Sequence, residues 1–74
     1  MIFGNQLFVK RKKIKLSTEA LAIACGISRS YVTLIENGKR MPSKKIIPKI
    51  AEALEVHTDD VINWYLEDVR EKLK

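Results

Sequence analysis

The sequence predicts a compact all-α domain of five helices with an extended last helix, and three observations support this. Apolar residues recur at helical steps of three and four in successive stretches. Gly26 and Gly38 follow two of these stretches, where a residue in the left-handed conformation commonly ends a helix. Ser17 and Ser28 precede the same two stretches and are favourable N-caps. A chain of 74 residues has room for one modest core.

The first helix is predicted over residues 5–13, after a short lead-in of residues 1–4. Leu7, Phe8 and Arg11 are predicted on its inner side, and its lysines on the outer side. A run of exposed lysines more often marks a solvated helix face than a binding site.

The second helix is predicted over residues 18–25, with either Ser17 or Thr18 as its cap. The third helix follows after only a glycine turn and runs over residues 28–37. Two helices joined so tightly must cross at a short distance, which requires small residues at the crossing.

The fourth helix is predicted over residues 44–54. Pro48 would then fall in or just past the first turn, where the missing N–H costs little. The fifth helix is predicted to begin after Thr58 and to continue toward the chain end. Asp59 and Asp60 suit its first turn because the N-terminal end of the helix dipole is positive.

The composition restricts the function. The formal net charge of +5 favours polyanions such as nucleic acid. One cysteine (Cys25) and one histidine (His57) allow neither an internal disulfide nor a zinc site within one chain. We expect Cys25 to be a small buried side chain and His57 an exposed loop residue. The sequence contains no nucleophile–base pair and no phosphate-binding glycine loop, so we expect no enzyme, no cofactor and no metal. It contains no long apolar run, so we expect a cytoplasmic protein rather than a membrane protein.

The third helix has two different faces on a helical wheel. Val32 and Ile35 point together and must face the core. The opposite face is small and polar, with one leucine among hydrogen-bonding side chains. This face and its flanks carry Arg29, Ser30, Tyr31, Thr33, Leu34 and Asn37. Such a surface suits the major groove of DNA, where base edges present donors, acceptors and thymine methyl groups.

Three segments carry a family resemblance: residues 16–22 (LSTEALA), residues 26–32 (GISRSYV) and residues 35–40 (IENGKR) with Pro42-Ser43. Together they resemble the phage repressor and Cro-type (XRE-like) helix-turn-helix family, from Leu7 to Ile62. The resemblance implies a repressor-like fold and a DNA-binding transcriptional regulator. It further implies a dimeric repressor that binds a palindromic operator, with the helix at residues 28–37 in the major groove.

The resemblance also implies site residues. The third helix becomes the recognition helix, with base contacts from Arg29, Ser30, Thr33 and Leu34. Contacts to the DNA backbone are implied for Thr18, Ser28, Tyr31, Asn37, Lys39, Arg40, Ser43 and Lys44. Arg11 and Glu36 are implied as a structural ion pair.

Two of these positions leave a choice open. Thr18 stands where relatives usually carry a glutamine that braces the recognition helix, and it is shorter. Tyr31 could bond a phosphate or could pack over the edge of the core.

The C-terminal segment carries more apolar surface than a solvated tail requires. We expect residues 1–62 to form the DNA-binding domain, with the helix-turn-helix unit at residues 18–37, and residues 63–74 to form a helical extension. That extension is predicted as a homodimer or partner seam made of Trp64, Tyr65, Leu66, Val69 and Leu73. Alternatively, Leu66 and Val69 fold back onto the first helix, against Phe3 and Phe8.

A second class of function keeps the same fold but reads no DNA. The chain would then be a protein-interaction module, antitoxin-like or partner-binding, that uses its C-terminal helix. The sequence does not choose between repressor and activator, nor among phage, restriction-modification and toxin–antitoxin systems. Double-stranded DNA, a second copy of the chain and a further protein are therefore the expected partners.

Overall fold

The computed structural model describes residues 2–73 and contains no strand within them. Its helices are α1 (Ile2–Lys13), α2 (Thr18–Cys25), α3 (Arg29–Glu36), α4 (Ile47–Leu54) and α5 (Thr58–Lys72). The predicted all-α fold of five helices is confirmed.

A single core lies between the five helices. α1 packs against α3 and α5, α2 packs against α3 and α4, and α4 packs against α5. The largest fully buried side chains come from every helix: Phe3, Leu7, Leu21, Val32, Ile35, Ile50, Leu54 and Val61. Each helix thus buries one apolar stripe, and burial of apolar area is the main force that holds so small a domain together.

The joint between α2 and α3 is built as the sequence predicts. The Ser17 hydroxyl accepts a hydrogen bond from the backbone N–H of Ala20 at 3.0 Å, so Ser17, rather than Thr18, caps α2. Gly26 ends α2 in the left-handed conformation, with φ of 67°. Glycine adopts this conformation without a steric penalty, and the chain can therefore reverse within two residues.

The ends of α3 also match the prediction. The Ser28 hydroxyl accepts from the backbone N–H of Tyr31 at 3.0 Å, and Asn37 is the C-cap. Val32 and Ile35 are each only 1% exposed, so the predicted inner face of the helix is confirmed.

The predicted lead-in and the inner position of Phe8 are wrong. α1 begins at Ile2, three residues before the predicted start. Phe3 is completely buried and packs edge-on against two aromatic rings of α5. Phe3, Leu7 and Arg11 follow one another in steps of four along the buried stripe, which leaves Phe8 beside it and 44% exposed. Its ring lies 5.5 Å from the Arg11 guanidinium carbon.

The predicted start of α4 is three residues too early. Residues 44–46 form a turn, in which the Ile46 N–H donates to the carbonyl of Ser43 at 3.2 Å, and the helix begins at Ile47. Pro48 explains the difference. If the helix began at residue 44, Pro48 would lie beyond its first turn and could donate no hydrogen bond to the carbonyl of Lys44. In the observed helix it lies in the first turn, where no such donor is needed.

α5 is one continuous helix, and the predicted boundary after residue 62 falls inside it. Trp64 and Tyr65 are half-buried, and their rings lie 6.2 and 6.4 Å from the ring of Phe3. The side chains of α5 that pack on α1 are therefore these two aromatic rings. Leu66, which the alternative interpretation placed against α1, is 50% exposed. No helix within residues 2–73 is both long and apolar enough to cross a membrane.

Candidate nucleic-acid interface

The outer face of α3 is exposed and polar. Arg29, Ser30 and Thr33 are exposed, and Leu34 is half-buried at the edge of the face. The Thr33 hydroxyl donates to the carbonyl of Arg29 at 3.2 Å within the helix, so its oxygen remains available as an acceptor. The four residues predicted to contact bases therefore share one side of a helix whose other side is buried.

The end of α3 is held by an ion pair that the sequence implies. Arg11 Nε donates to Glu36 Oε2 at 2.7 Å, and Arg11 Nη2 donates to Glu36 Oε1 at 3.1 Å. A third bond runs from Arg11 Nη1 to the carbonyl of Leu16 at 2.9 Å. Both charged side chains are 9% exposed. This paired arrangement fixes the angle as well as the distance between the two groups, and so ties α3 to α1 and to the entry of α2.

Residues 39–43 form a loop after α3, called here the basic loop. The backbone N–H groups of Lys39 and Arg40 both donate to the carbonyl of Leu34, at 2.9 and 3.3 Å, which folds the loop back over the helix end. Their side chains, like those of Ser43 and Lys44, are exposed. Two lysines, an arginine and a hydroxyl are thus exposed within residues 39–44, directly after α3, and such side chains suit contacts to phosphates.

Tyr31 packs against the core, in agreement with the second of the two interpretations left open by the sequence. Its ring is half-buried, and its hydroxyl donates to the carbonyl of Met41 at 3.2 Å. A phosphate needs a donor, and the single hydroxyl hydrogen of Tyr31 is already engaged. The bond also holds the basic loop against α3.

Two implied phosphate contacts lie at helix N-termini. Thr18 is the first residue of α2, and Ser28 is the N-cap of α3. The Ser28 oxygen accepts a backbone bond, which leaves its hydrogen to donate elsewhere. Helix N-termini attract anions through the dipole and through their unpaired N–H groups.

Cys25 and His57 have the exposure that the sequence predicts. Cys25 is 1% exposed, and burial raises the pKa of its thiol while the nearby Lys49 opposes the shift. His57 is exposed and precedes α5 as its N-cap. Within residues 2–73 there is no group of three side chains placed to hold a metal ion.

Gly4 is a functional candidate that sequence reasoning misses, because residues 1–4 have the pattern of a short lead-in. It is buried in the first turn of α1, directly against the carbonyl groups that end α3. No local sequence pattern marks such a contact, since it depends on how two distant helices meet.

Comparison with known proteins identifies relatives for this fold. The family model described as Helix-turn-helix matches residues 9–61. RghR, an HTH-type transcriptional repressor of Bacillus subtilis, is 39% identical over 72 residues, which cover 93% of this chain and 53% of RghR. The control protein C.BamHI of Bacillus amyloliquefaciens is 34% identical over 65 residues, covering 86% of this chain and 80% of that protein. The chain spans about half the length of RghR and of RghRB, a second HTH-type regulator of Bacillus subtilis.

The solved structures agree with the fold. The restriction-modification controller protein C.AhdI of Aeromonas hydrophila is 39% identical, with a TM-score of 0.74 over 80% of this chain and 89% of its own. The P22 c2 repressor has a TM-score of 0.76 at 23% identity, over 82% of this chain and 92% of its own, which shows a shared fold. From the match over residues 9–61 and the relatives above, the chain belongs to the helix-turn-helix family of repressors and control proteins.

Proposed function

We propose that this protein is a sequence-specific DNA-binding regulator of transcription whose α3 enters the major groove. The observation that carries the proposal is the combination of an exposed polar face on α3 with a buried, ion-paired anchorage of the same helix. A side chain can discriminate between bases only if its helix is held in one position. The names of its relatives, a transcriptional repressor and two control proteins, agree with this function.

Base reading is assigned to the outer face of α3. Arg29 is long enough and has the paired donors to bind the acceptor edge of a guanine. Ser30 offers a hydroxyl group to either a donor or an acceptor, whereas Thr33 offers its oxygen to a donor because its hydrogen is bonded to the carbonyl of Arg29. Leu34 presents apolar surface to a thymine methyl group. These four side chains would determine the sequence preference.

Phosphate binding is assigned to the surfaces that flank α3. The N-termini of α2 and α3 contribute Thr18 and Ser28, and the basic loop with its flanks contributes Asn37, Lys39, Arg40, Ser43 and Lys44. These contacts fix the register of the protein on the duplex without reading sequence. Tyr31 would act on the backbone only indirectly, by holding the loop through its bond to Met41.

A second copy of the chain is the proposed partner of α5. Ile62, Leu66 and Leu73 are 39%, 50% and 82% exposed and are spaced along one stripe of the helix. Beside them, α4 and α5 enclose an open groove of about 420 Å³ lined mainly by apolar side chains, including Ile47 and Tyr65. A self-complementary pairing would let apolar side chains of each copy enter the groove of the other.

The proposed dimer differs from the sequence-based seam in its anchors. Trp64 and Tyr65 contact Phe3 of the same chain and are therefore mostly occupied. Ile62, Leu66 and Leu73 are left to make the contact, with Val69 half-buried beside them. Two copies related by a two-fold axis would read a palindromic operator when their α3 helices lie about 34 Å apart, one helical turn of DNA.

Repression by occupation of promoter DNA, in the cytoplasm, is the proposed outcome of binding. The alternative is a protein-interaction module, and the same exposed α5 stripe favours it, because a different protein could cover that stripe. The two functions differ in their requirement for α3, which only the DNA-binding function uses.

The test is selection of bound sequences from a random duplex pool at near-physiological salt. Enrichment of a two-fold motif with half-sites one turn apart is expected, and its affinity should fall steeply with salt because phosphate contacts release counterions. The control variant Lys49→Ala should select the same motif as the wild type, since Lys49 lies near the Gly26 turn rather than on the outer face of α3. A folded protein that enriches no motif would exclude sequence reading and favour the interaction module.

A further inference from the structure

Gly4 lies at an unusually close contact between α1 and α3. A Cβ atom at this position would be 2.5 Å from the carbonyl oxygen of Ile35, 2.6 Å from that of Glu36 and 2.9 Å from the carbonyl carbon of Glu36. All three are backbone atoms, which cannot rotate away as the end of a side chain can. Any residue larger than glycine must therefore push the two helices apart.

The need for glycine here does not come from the backbone conformation. Gly4 lies inside a regular helix, and the only glycines with positive φ in the described chain are Gly26 and Gly38. Alanine would favour the helix itself by about 0.5–1 kcal/mol. Gly4 thus forgoes local helix stability in exchange for close approach to α3.

Gly4 and Arg11 both meet the last residue of α3, one at its main chain and the other at its side chain. Gly4 contacts the main chain of Glu36, and Arg11 binds its carboxylate through two nitrogens. The two α1 residues are seven apart, which is close to two helical turns on one face. Together they fix both the distance and the rotation of the last turn of α3.

A displacement of the last turn of α3 would also move the outer face of this helix, which carries the proposed base contacts. α3 has only eight residues, and Val32 and Ile35 hold its inner face in the core. Lengthening the 2.5 Å approach of an added Cβ to an ordinary contact of 3.4 Å requires a displacement of about 0.9 Å. Hydrogen bonds to base edges weaken steeply with such changes in length and angle, whereas flexible lysines can still reach phosphates.

We infer that Gly4 is a positioning residue for sequence reading: its missing side chain sets the depth at which α3 is seated, and so the fit of Arg29, Ser30 and Thr33 to base edges. The inference rests on the proposed DNA-binding function. It gives α1 a role in specificity, although all the proposed base contacts come from α3.

The test compares Gly4→Ala with the wild-type protein on the motif selected by the wild type and on an unrelated duplex. Affinity for the selected motif should fall at least tenfold, while affinity for the unrelated duplex should stay within about twofold. A repeated selection with Gly4→Ala should give a weaker or altered motif.

Two control variants separate position from stability. Asn5→Ala changes an exposed residue in the same turn and should leave both affinities unchanged. Phe3→Leu loosens the core in the same turn without placing an atom against α3, so it should lower stability but keep the ratio of the two affinities. An equal loss of that ratio in Phe3→Leu would overturn the inference, because general loosening would then explain it.

Folding of Gly4→Ala is checked by circular dichroism, with sucrose added to all proteins if the variant is marginal. A variant that stays unfolded in sucrose would overturn the inference, since Gly4 would then hold the whole fold. An unchanged affinity ratio in the folded variant would overturn it while the proposed function stands. A wild type that selects no motif would overturn both.

Discussion

Breaking the Arg11–Glu36 pair is expected to cost a large part of the folding free energy. Arg11→Met would leave the Glu36 carboxylate, 9% exposed, without its two donors and would remove a bond to the carbonyl of Leu16. Removing one partner of a buried ion pair costs about 3–5 kcal/mol. A domain of this length has a total stability of about 4–11 kcal/mol, so the loss would be plain in any unfolding experiment.

The double variant separates the pair from its surroundings. Glu36→Met alone should cost a comparable amount, because the Arg11 guanidinium would then be the buried charge without a partner. Arg11→Met with Glu36→Met removes both charges and leaves only the Leu16 carbonyl unpaired, at about 1–3 kcal/mol. The sum of the two single losses should therefore exceed the loss in the double variant by at least about 3 kcal/mol.

Urea unfolding at one fixed protein concentration measures these differences, followed by circular dichroism and by the fluorescence of Trp64, which contacts Phe3. Lys12→Met is the matched control, since Lys12 is an exposed cation of the same helix and its loss should change stability by about 0.5 kcal/mol or less. A loss below about 1 kcal/mol for Arg11→Met, as for exposed ion pairs, would refute this reasoning.

Three further predictions concern binding, assembly and pH. Arg29→Ala should lose about 1–3 kcal/mol of affinity for the selected motif and much less for unrelated DNA in a gel-shift competition; equal losses would make Arg29 a phosphate contact. Leu66→Glu should weaken dimerisation at least tenfold by sedimentation, with the exposed neighbour Glu67→Gln unaffected; an intact Leu66→Glu dimer would exclude this face. Burial raises the pKa of Cys25 above its ordinary 9.0, so the folded protein holds the thiol proton more tightly than the unfolded chain. The contribution of Cys25 to the free energy of unfolding should therefore be constant below pH 9.0 and fall as pH rises toward the raised pKa. A Cys25→Ala variant with the same dependence of stability on pH would contradict this prediction.

The helix-turn-helix unit could be predicted because its determinants are local. Ser17 and Ser28 bind N–H groups three residues ahead, and Gly26 turns the chain by its own backbone conformation. Such contacts depend on residues that are neighbours in sequence, so both α2 and α3 were found with nearly the observed ends.

The start of α1 could not be predicted, because its reason lies elsewhere in the chain. Residues 1–4 contain a glycine and no N-cap, which is typical of a lead-in. Phe3 becomes helical and buried only because Trp64 and Tyr65, some sixty residues later, supply its packing partners. The contact of these two rings with Phe3 leaves no signal in the sequence either, since helical spacing shows which residues share a face but not what that face meets.

The sequence alone determined α2 and α3 with their caps, the polar outer face of α3 and the residues of the Arg11–Glu36 pair. These follow from side-chain periodicity, from hydrogen bonds within a few residues and, for the pair, from resemblance. Only the tertiary structure decided that Gly4 touches the carbonyls of α3 and that Phe8 is exposed. It also decided that the aromatic side chains of α5 pack against the chain's own core. Those facts depend on the distance and rotation between packed helices, which arise from the sum of many small contacts and leave no pattern in any single segment.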